Sequence, residues 1–317
     1  MRQFQHINAT SVAQAANAKA AGGAILAGGT DLLTMEYDYV LPTSAGTMVN
    51  IKTIPDMDYI TDDGGLKIGA LATLTDIAES SVVKSNWASL AEAARRVGTP
   101  ELRNMGTLGG NLCQENRCWY FRAHNNYFNC FRKGGTLCFA TIGDNTYNAI
   151  LGQQVCYAVC PSDTAVALVA LGATFSSNIR SNASIADLFV VLGNTLGDNE
   201  VLTEVQVPAP AAGTVQAFKK YAIRKSFDFA VASAAVSVTV SGGNVADCKI
   251  AMGGVAPTPW RATAAEDELK GGPLNETTAA AAAAKATQGA APVPGGNNAW
   301  IVPIAQAMVR RALVAAA

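Results

Sequence analysis

The chain has 317 residues, half of which are apolar, while only 15% are charged. Its 23 basic and 24 acidic residues are scattered and leave a formal net charge of −1, so no basic stripe is available to bind nucleic acid or an anionic membrane. The first residues contain no apolar signal core, and no run of about eighteen apolar residues follows, which argues against membrane insertion and self-directed export. This composition predicts a globular protein of two or three domains.

The first hundred residues mix helical and strand patterns. A short helix is predicted at 11–20, behind a capping region formed by Asn8, Thr10 and Ser11. Compact apolar runs predict strands at 24–26, 48–51 and 66–70, and two further short helices are expected near 75–80 and 87–96.

The second half of the chain changes character twice. Residues 113–160 hold six of the seven cysteines and show little periodicity, so we expect an irregular insertion there. A helix is predicted at 162–171 and a strand at 204–207, before a proline linker at 208–210. Beyond the linker, the pattern predicts strands at 232–240 and 248–252, a helix at 279–291, and a last helix with Ile304, Met308 and Leu313 on one face.

Two glycine loops carry similar chemistry. Residues 27–31 lie between a predicted strand and a predicted helix, and residues 107–111 repeat the pattern of a threonine, paired glycines and a polar residue about eighty positions later. Glycine lets backbone amides approach a phosphate, although either loop alone could be a tight turn. The spacing differs from the G-x-G-x-x-G fingerprint, which disfavours a nicotinamide cofactor. Together, the loops suggest two walls of one diphosphate site.

Four motifs resemble a known family in the same order along the chain: Leu26-Ala-Gly-Gly-Thr-Asp-Leu-Leu33, Ile68-Gly-Ala-Leu-Ala-Thr73, Leu102-Arg-Asn-Met-Gly-Thr-Leu-Gly-Gly-Asn-Leu112 and Pro161-Ser-Asp163. They resemble the FAD-binding medium subunits of the xanthine dehydrogenase family of molybdenum hydroxylases. The resemblance implies an α+β fold: a FAD-binding fold of the vanillyl-alcohol oxidase and p-cresol methylhydroxylase type in two α/β subdomains, residues 1–55 and 56–211, followed by an α+β domain of the CO dehydrogenase flavoprotein type, residues 212–317.

The same resemblance implies which residues contact FAD. The two loops would wrap the diphosphate, Asp163 would bind the ribityl hydroxyls, and three positions elsewhere match further flavin contacts. The complete set is Ile25, Leu26, Ala27, Gly28, Gly29, Thr30, Asp31, Leu32, Val97, Thr107, Leu108, Gly109, Gly110, Asn111, Asp163, Leu202 and Lys220.

The clustered cysteines point to a metal site. A large body that is otherwise poor in cysteine needs no disulfides, and no C-x-x-C pair of the kind that zinc prefers is present. Wide, irregular spacing on a loop is more typical of an iron–sulfur cluster. The insertion resembles that of 4-hydroxybenzoyl-CoA reductases and a bacterial group of aldehyde oxidoreductases, which implies a 4Fe–4S cluster on Cys118, Cys130, Cys138 and Cys156. Cys113 and Cys160 are interpreted as buried thiols.

The resemblance implies a role in electron transfer and no catalytic residue on this chain. The partners would be a small subunit with 2Fe–2S clusters and a large subunit with the molybdenum cofactor, and electrons would pass through FAD to an external acceptor. Aldehyde oxidation is favoured, and reversed flow in an enzyme like 4-hydroxybenzoyl-CoA reductase is the alternative. A flavin-free redox or zinc module and an independent flavin oxidase are hypotheses of other classes. The expected location is cytoplasmic, or periplasmic if a partner carries the export signal.

Overall fold

The computed structural model describes residues 2–317 and begins with a small parallel sheet in which one strand lies between the other two. Its elements are β1 (Gln5–Asn8), α1 (Val12–Ala20), β2 (Ala24–Leu26), α2 (Leu32–Tyr37) and β3 (Thr47–Asn50), with β3 in the centre. The predicted helix at 11–20 is confirmed as α1, which begins because the Ser11 side chain accepts a hydrogen bond from the amide of Gln14. Gly22, with a φ of 90°, then turns the chain into β2.

A five-stranded antiparallel sheet and a run of short helices follow. The elements are β4 (Ile60–Asp62), β5 (Gly65–Gly69), α3 (Leu74–Glu79), α4 (Ser81–Asn86), α5 (Ala88–Arg95), α6 (Pro100–Met105) and α7 (Leu108–Cys113). After the insertion come α9 (Asp163–Leu171), β6 (Thr174–Ser177), β7 (Ala183–Ser184), the hairpin of β8 (Phe189–Val190) and β9 (Gly193–Asn194), and β10 (Leu202–Pro208). The strand order is β4-β5-β10-β6-β7, so the strand predicted before the proline linker is the centre of this sheet.

The cysteine-rich insertion is irregular, as its sequence predicts. All of its residues are described, and its regular structure consists of the end of α7, the short helix α8 (Trp119–Arg122) and three 3-10 turns, at His124–Asn126, Phe131–Lys133 and Phe139–Thr141. Backbone hydrogen bonds join it to the end of α2, since the amides of Asn125 and Asn126 donate to the carbonyls of Asp38 and Tyr39. The insertion is therefore anchored against the first sheet unit.

The C-terminal region is an antiparallel sheet covered by helices. Its elements are β11 (Thr214–Tyr221), β12 (Ala232–Ser241), β13 (Asn244–Gly253), β14 (Trp260–Arg261), α10 (Thr263–Leu269), α11 (Glu276–Ala286) and α12 (Ile301–Ala315), with the strands in chain order. The helix predicted at 279–291 begins earlier and ends earlier. Asn275 caps its start by accepting hydrogen bonds from the amides of Thr277 and Thr278.

Helix α9 joins the two main regions. Every residue of α9 is buried, and the helix packs against α5 on one side and against β12 and β13 on the other. The first five residues of β12 are all buried because α9 covers one face of the strand and α12 covers the other, which alternation in the sequence did not anticipate. Within residues 2–317, no helix is both long enough and apolar enough to cross a membrane.

Candidate functional site

A cleft of about 590 Å³ opens where the glycine loops, the start of α9 and the strands β10 and β11 come together. All of the residues predicted to contact FAD line this cleft, except Leu26 and Leu108, whose side chains are buried in apolar packing. The sequence-based set, spread over nearly two hundred positions, is therefore assembled at one place. Its members' individual contacts with FAD stay predictions.

The two glycine loops lie directly against each other. A β-carbon on Gly28 would stand 2.1 Å from the carbonyl oxygen of Met105, and one on Gly106 would stand 3.9 Å from the Thr30 hydroxyl. A β-carbon on Gly109 would likewise approach Ala70 to 3.0 Å. These glycines are required because backbone meets backbone here, a reason that differs from the phosphate approach expected from sequence.

The loops differ in the backbone donors that they offer. In the second loop, the amides of Leu108 and Gly109 donate to the carbonyls of Ala72 and Ala70, both at 2.9 Å, and the next two amides donate to Thr107. In the first loop, no acceptor within residues 2–317 takes a hydrogen bond from the amides of residues 28–31. Among the described residues, the second loop leaves only the amide of Thr107 without an acceptor, so the first loop offers more of the free backbone amides that attract anions.

Asp31 does not face the cleft as a free carboxylate. Its Oδ1 accepts from Arg122 at 2.7 Å and lies 3.0 Å from Arg117, while its Oδ2 accepts from the amide of Glu115 at 2.9 Å. Arg117 also lines the cleft and stacks its guanidinium 4.7 Å from the centre of the Phe229 ring. Burial lowers the pKa of Arg117 to about 10, which still leaves it protonated at neutral pH.

Arg117 and Phe229 were missed by sequence reasoning. The available signal was the arginine directly before Cys118, but nothing local indicated that it reaches across to Asp31. Phe229 belongs to no motif recognised in the sequence, and it lines the cleft together with Asp228.

Asp163 and Lys220 form a buried ion pair at the cleft wall. Their charged atoms are 2.6 Å apart, and their side chains are only 6% and 3% exposed. Burial raises the pKa of Asp163, and the charge of Lys220 opposes that shift. The ammonium also donates to the carbonyl of Arg96 at 3.0 Å, so it is held from two sides.

Asn111 presents an amide donor to the same space. Its Oδ1 accepts hydrogen bonds from the hydroxyls of Ser162, at 2.5 Å, and Thr164, at 2.7 Å, which fixes the orientation of the amide. Its Nδ2 has no acceptor within the described part of the chain, and the residue lines the cleft. A bound ligand with an exposed oxygen would satisfy this donor.

A second, much smaller cavity lies inside the cysteine-rich insertion. It measures about 20 Å³ and is lined by the four cysteines predicted as ligands, together with aromatic rings and two polar residues, Asn116 and Arg132. Burial raises the pKa of Cys118, Cys130 and Cys138, and the charge of Cys156 raises each of them further. The four thiols are therefore close enough to influence one another electrostatically.

Two family models together match almost the whole chain. Residues 2–210 match the FAD binding domain in molybdopterin dehydrogenase, and residues 216–316 match the CO dehydrogenase flavoprotein C-terminal domain. The chain belongs to this family of FAD-binding subunits.

Relatives and solved structures agree with that assignment. This chain is 33% identical to the aldehyde oxidoreductase FAD-binding subunit of Escherichia coli strain K12, over 85% of this chain and 86% of that protein. It is 29% identical to the carbon monoxide dehydrogenase medium chain of Hydrogenophaga pseudoflava, over 92% and 88%. A structure of carbon monoxide dehydrogenase from that organism, lacking the Mo-pyranopterin moiety, matches with a TM-score of 0.78 and 28% identity over 99% of this chain and 97% of the other. The expected fold is thereby confirmed, and the chain is an oxidoreductase subunit.

The cleft has the chemistry that FAD requires. The free amides of the first loop and the charge of Arg117 suit a diphosphate, and the Asn111 amide suits a hydroxyl or carbonyl oxygen. Much of the remaining lining is apolar, as a flavin ring prefers, and includes Ile25, Val97 and Leu202. The cleft thus offers both polar and apolar groups.

The cysteine cavity does not have the geometry of a single-ion site. Among residues 2–317, no three or more His, Cys, Asp or Glu side chains are close enough to hold one metal ion. A tetrahedral ion with bonds of about 2.3 Å would draw its sulfur ligands to roughly 3.8 Å from one another. All seven cysteines are free thiols, and Cys118, Cys130, Cys138 and Cys156 line one small cavity.

The two remaining cysteines of the insertion lie elsewhere. Cys113 lines the flavin cleft, and Cys160 is buried next to the start of α9. Burial raises the pKa of each thiol to about 11, so both are neutral at physiological pH. Neither lines the cysteine cavity; Cys160 is buried, whereas Cys113 is only partly buried in the cleft wall.

Proposed function

We propose that this chain is the flavin and iron–sulfur subunit of a heterotrimeric molybdenum hydroxylase. It passes electrons between the 2Fe–2S clusters of a small partner subunit and an external acceptor, while a large subunit with the molybdenum cofactor holds the substrate. FAD supplies the exchange between one-electron and two-electron chemistry when it is bound. Aldehyde oxidation is the favoured reaction of the complex, since the aldehyde oxidoreductase subunit of Escherichia coli is 33% identical.

The iron–sulfur part of the proposal rests on the residues that line the cysteine cavity. Cys118, Cys130, Cys138 and Cys156 come from four separate turns of the insertion and line one space. Aromatic side chains, including the buried Phe121, line the same space and would limit the access of solvent to a bound cluster.

Two buried donors without partners support the same conclusion. The Nδ2 of Asn116 and the Nε of Arg132 are buried and find no hydrogen-bond acceptor, although both residues line the cavity. The orientation of Asn116 is fixed, because its Oδ1 accepts from the amide of Cys118 at 2.8 Å. Unpartnered buried donors are rare and costly, and the sulfurs of an anionic cluster would accept from them.

The residues of this chain would prepare both cofactors for electron transfer. The first glycine loop would bind the phosphates, the Asp163–Lys220 pair would form part of the cleft wall, and the aromatic residues of the insertion would surround the cluster. Asp31 joins the two sites, because it belongs to the first glycine loop and bonds to residues next to Cys118. Side-chain contacts therefore connect the first glycine loop with the segment that contains Cys118.

The ligand assignment is tested by replacing each of the four cysteines with serine in the full chain, purified anaerobically with its partners. Each replacement should lower the iron content and the visible absorption of the FAD-binding subunit. Cys248→Ser is the control, because this thiol is buried in the C-terminal core and lies outside the insertion. If all four variants kept the iron content of the unmodified complex, the assignment would be wrong.

A further inference from the structure

The region around Asp31 carries more positive than negative charge. Arg117 and Arg122 both contact its carboxylate, at 3.0 and 2.7 Å. The nearest other carboxylate, Glu115, bonds to Arg132 at 2.9 Å. Three guanidinium groups thus face two carboxylates, which leaves one positive charge in excess beside the first glycine loop. An excess charge of this kind at a largely buried place calls for an anion.

Of the three arginines, Arg117 is the one that reaches the cleft. It is part of the cleft lining, whereas Arg122 and Arg132 are not, and its side chain is the most exposed of the three, at 26%. Its guanidinium is held in place by Gln114 Oε1 at 3.0 Å, by Asp31, and by the ring of Phe229. A guanidinium fixed on several sides is preorganised to bind an anion.

The free amides of the first glycine loop lie on the same wall. Residues 28–31 line the cleft and have unbonded amides, and Asp31 connects this loop directly to Arg117. The excess charge and the free donors are independent observations, one from side chains and one from the backbone. Both point to an anionic group at one position in the cleft.

We propose that Arg117, a residue of the cysteine-rich insertion, binds the diphosphate of FAD together with the free amides of residues 28–31. The inference rests on the proposed function, because it places FAD in this cleft. It also gives the insertion a second task. Since Arg117 precedes Cys118, the folded insertion brings a positive charge into the cleft, while its cysteines line a separate cavity.

The proposal is tested by measuring the dissociation constant of FAD for the full chain in its complex, after removal of FAD, by quenching of flavin fluorescence. Arg117→Gln should raise this constant about tenfold or more, because a charge-assisted contact is lost. Arg117→Lys should restore most of the affinity. Added salt should weaken FAD binding more steeply in the unmodified protein than in Arg117→Gln. Arg95→Gln, which removes an exposed arginine paired only with Glu92, should leave the constant unchanged.

A second variant tests the same contact from outside the insertion. Phe229→Leu removes the ring beneath the guanidinium and should weaken FAD binding less than Arg117→Gln does, with iron content unchanged. The proposal is overturned if Arg117→Gln binds FAD within about twofold of the unmodified protein, or if it loses iron in the same proportion as FAD. An unmodified chain that binds no FAD or holds no cluster would instead reject the proposed function, so the two failures are distinguishable.

Discussion

Replacing Gly28 with alanine should force the two glycine loops apart. The new β-carbon would stand 2.1 Å from the carbonyl oxygen of Met105 and 3.0 Å from the Cα of Gly106. Both neighbours are backbone atoms, so no side chain can rotate away. Reaching an ordinary contact of 3.4 Å requires the loops to separate by about 1.3 Å, the difference between the two distances. Overpacking of this kind costs about 1–3 kcal/mol.

That cost must be seen in one of two measurements. If the loops stay closed without FAD, the free energy of unfolding falls by the whole overpacking cost. If they open, FAD binding must close them, and the dissociation constant of FAD rises between about fivefold and 150-fold. Urea unfolding of the apoprotein and fluorescence titration with FAD separate these cases. Gly46→Ala is the control, since its β-carbon would meet nothing within 4 Å. Unchanged stability together with unchanged FAD affinity in Gly28→Ala would refute the close packing of the loops.

Two further predictions concern buried charges. Lys220→Met should destabilise the chain by about 3–5 kcal/mol in urea unfolding, because Asp163 loses its partner. Adding Asp163→Asn should recover much of that loss of stability. Equal losses in the single and double variants would contradict the pairing. Burial would raise the pKa of Glu200, but hydrogen bonds from Arg180, Ser177 and the amide of Gly197 lower it to about 2. The lowered pKa contributes about 3 kcal/mol to the free energy of unfolding above pH 4.5, and this contribution is lost as the pH falls toward 2. The difference in stability between the unmodified protein and Glu200→Gln should therefore shrink across that range. A constant difference would show that the carboxylate charge is not the cause.

Local signals in the sequence predicted most of the regular structure. Helices α1 and α9 were placed well because Ser11 and Ser162 cap them and their apolar residues recur at helical spacing. Strand β11 was missed because Phe218 is its only buried apolar residue, as expected of a strand at the edge of its sheet. A strand with few buried apolar residues has no alternating apolar pattern by which its sequence could be recognised.

The sequence predicted which residues belong to the candidate site, but not how these residues contact one another. The paired glycine loops could be recognised because each has a local composition, and the cysteines could be recognised because they cluster. The contact of Asp31 with Arg122, separated by 91 positions, has no local signal. The difference between bonded amides in the second loop and free amides in the first depends on how each loop packs, which composition does not encode.

The most direct test of the whole account is metal and flavin analysis of this chain co-purified anaerobically with its partner subunits, with an absorption spectrum of the same sample. The account predicts one FAD, one molybdenum and about eight irons per complex, from two 2Fe–2S clusters in the small subunit and one 4Fe–4S cluster in the insertion. Finding FAD with only about four irons, those of the small subunit, would contradict it and would reduce the cysteine cavity to a structural feature of the FAD-binding subunit.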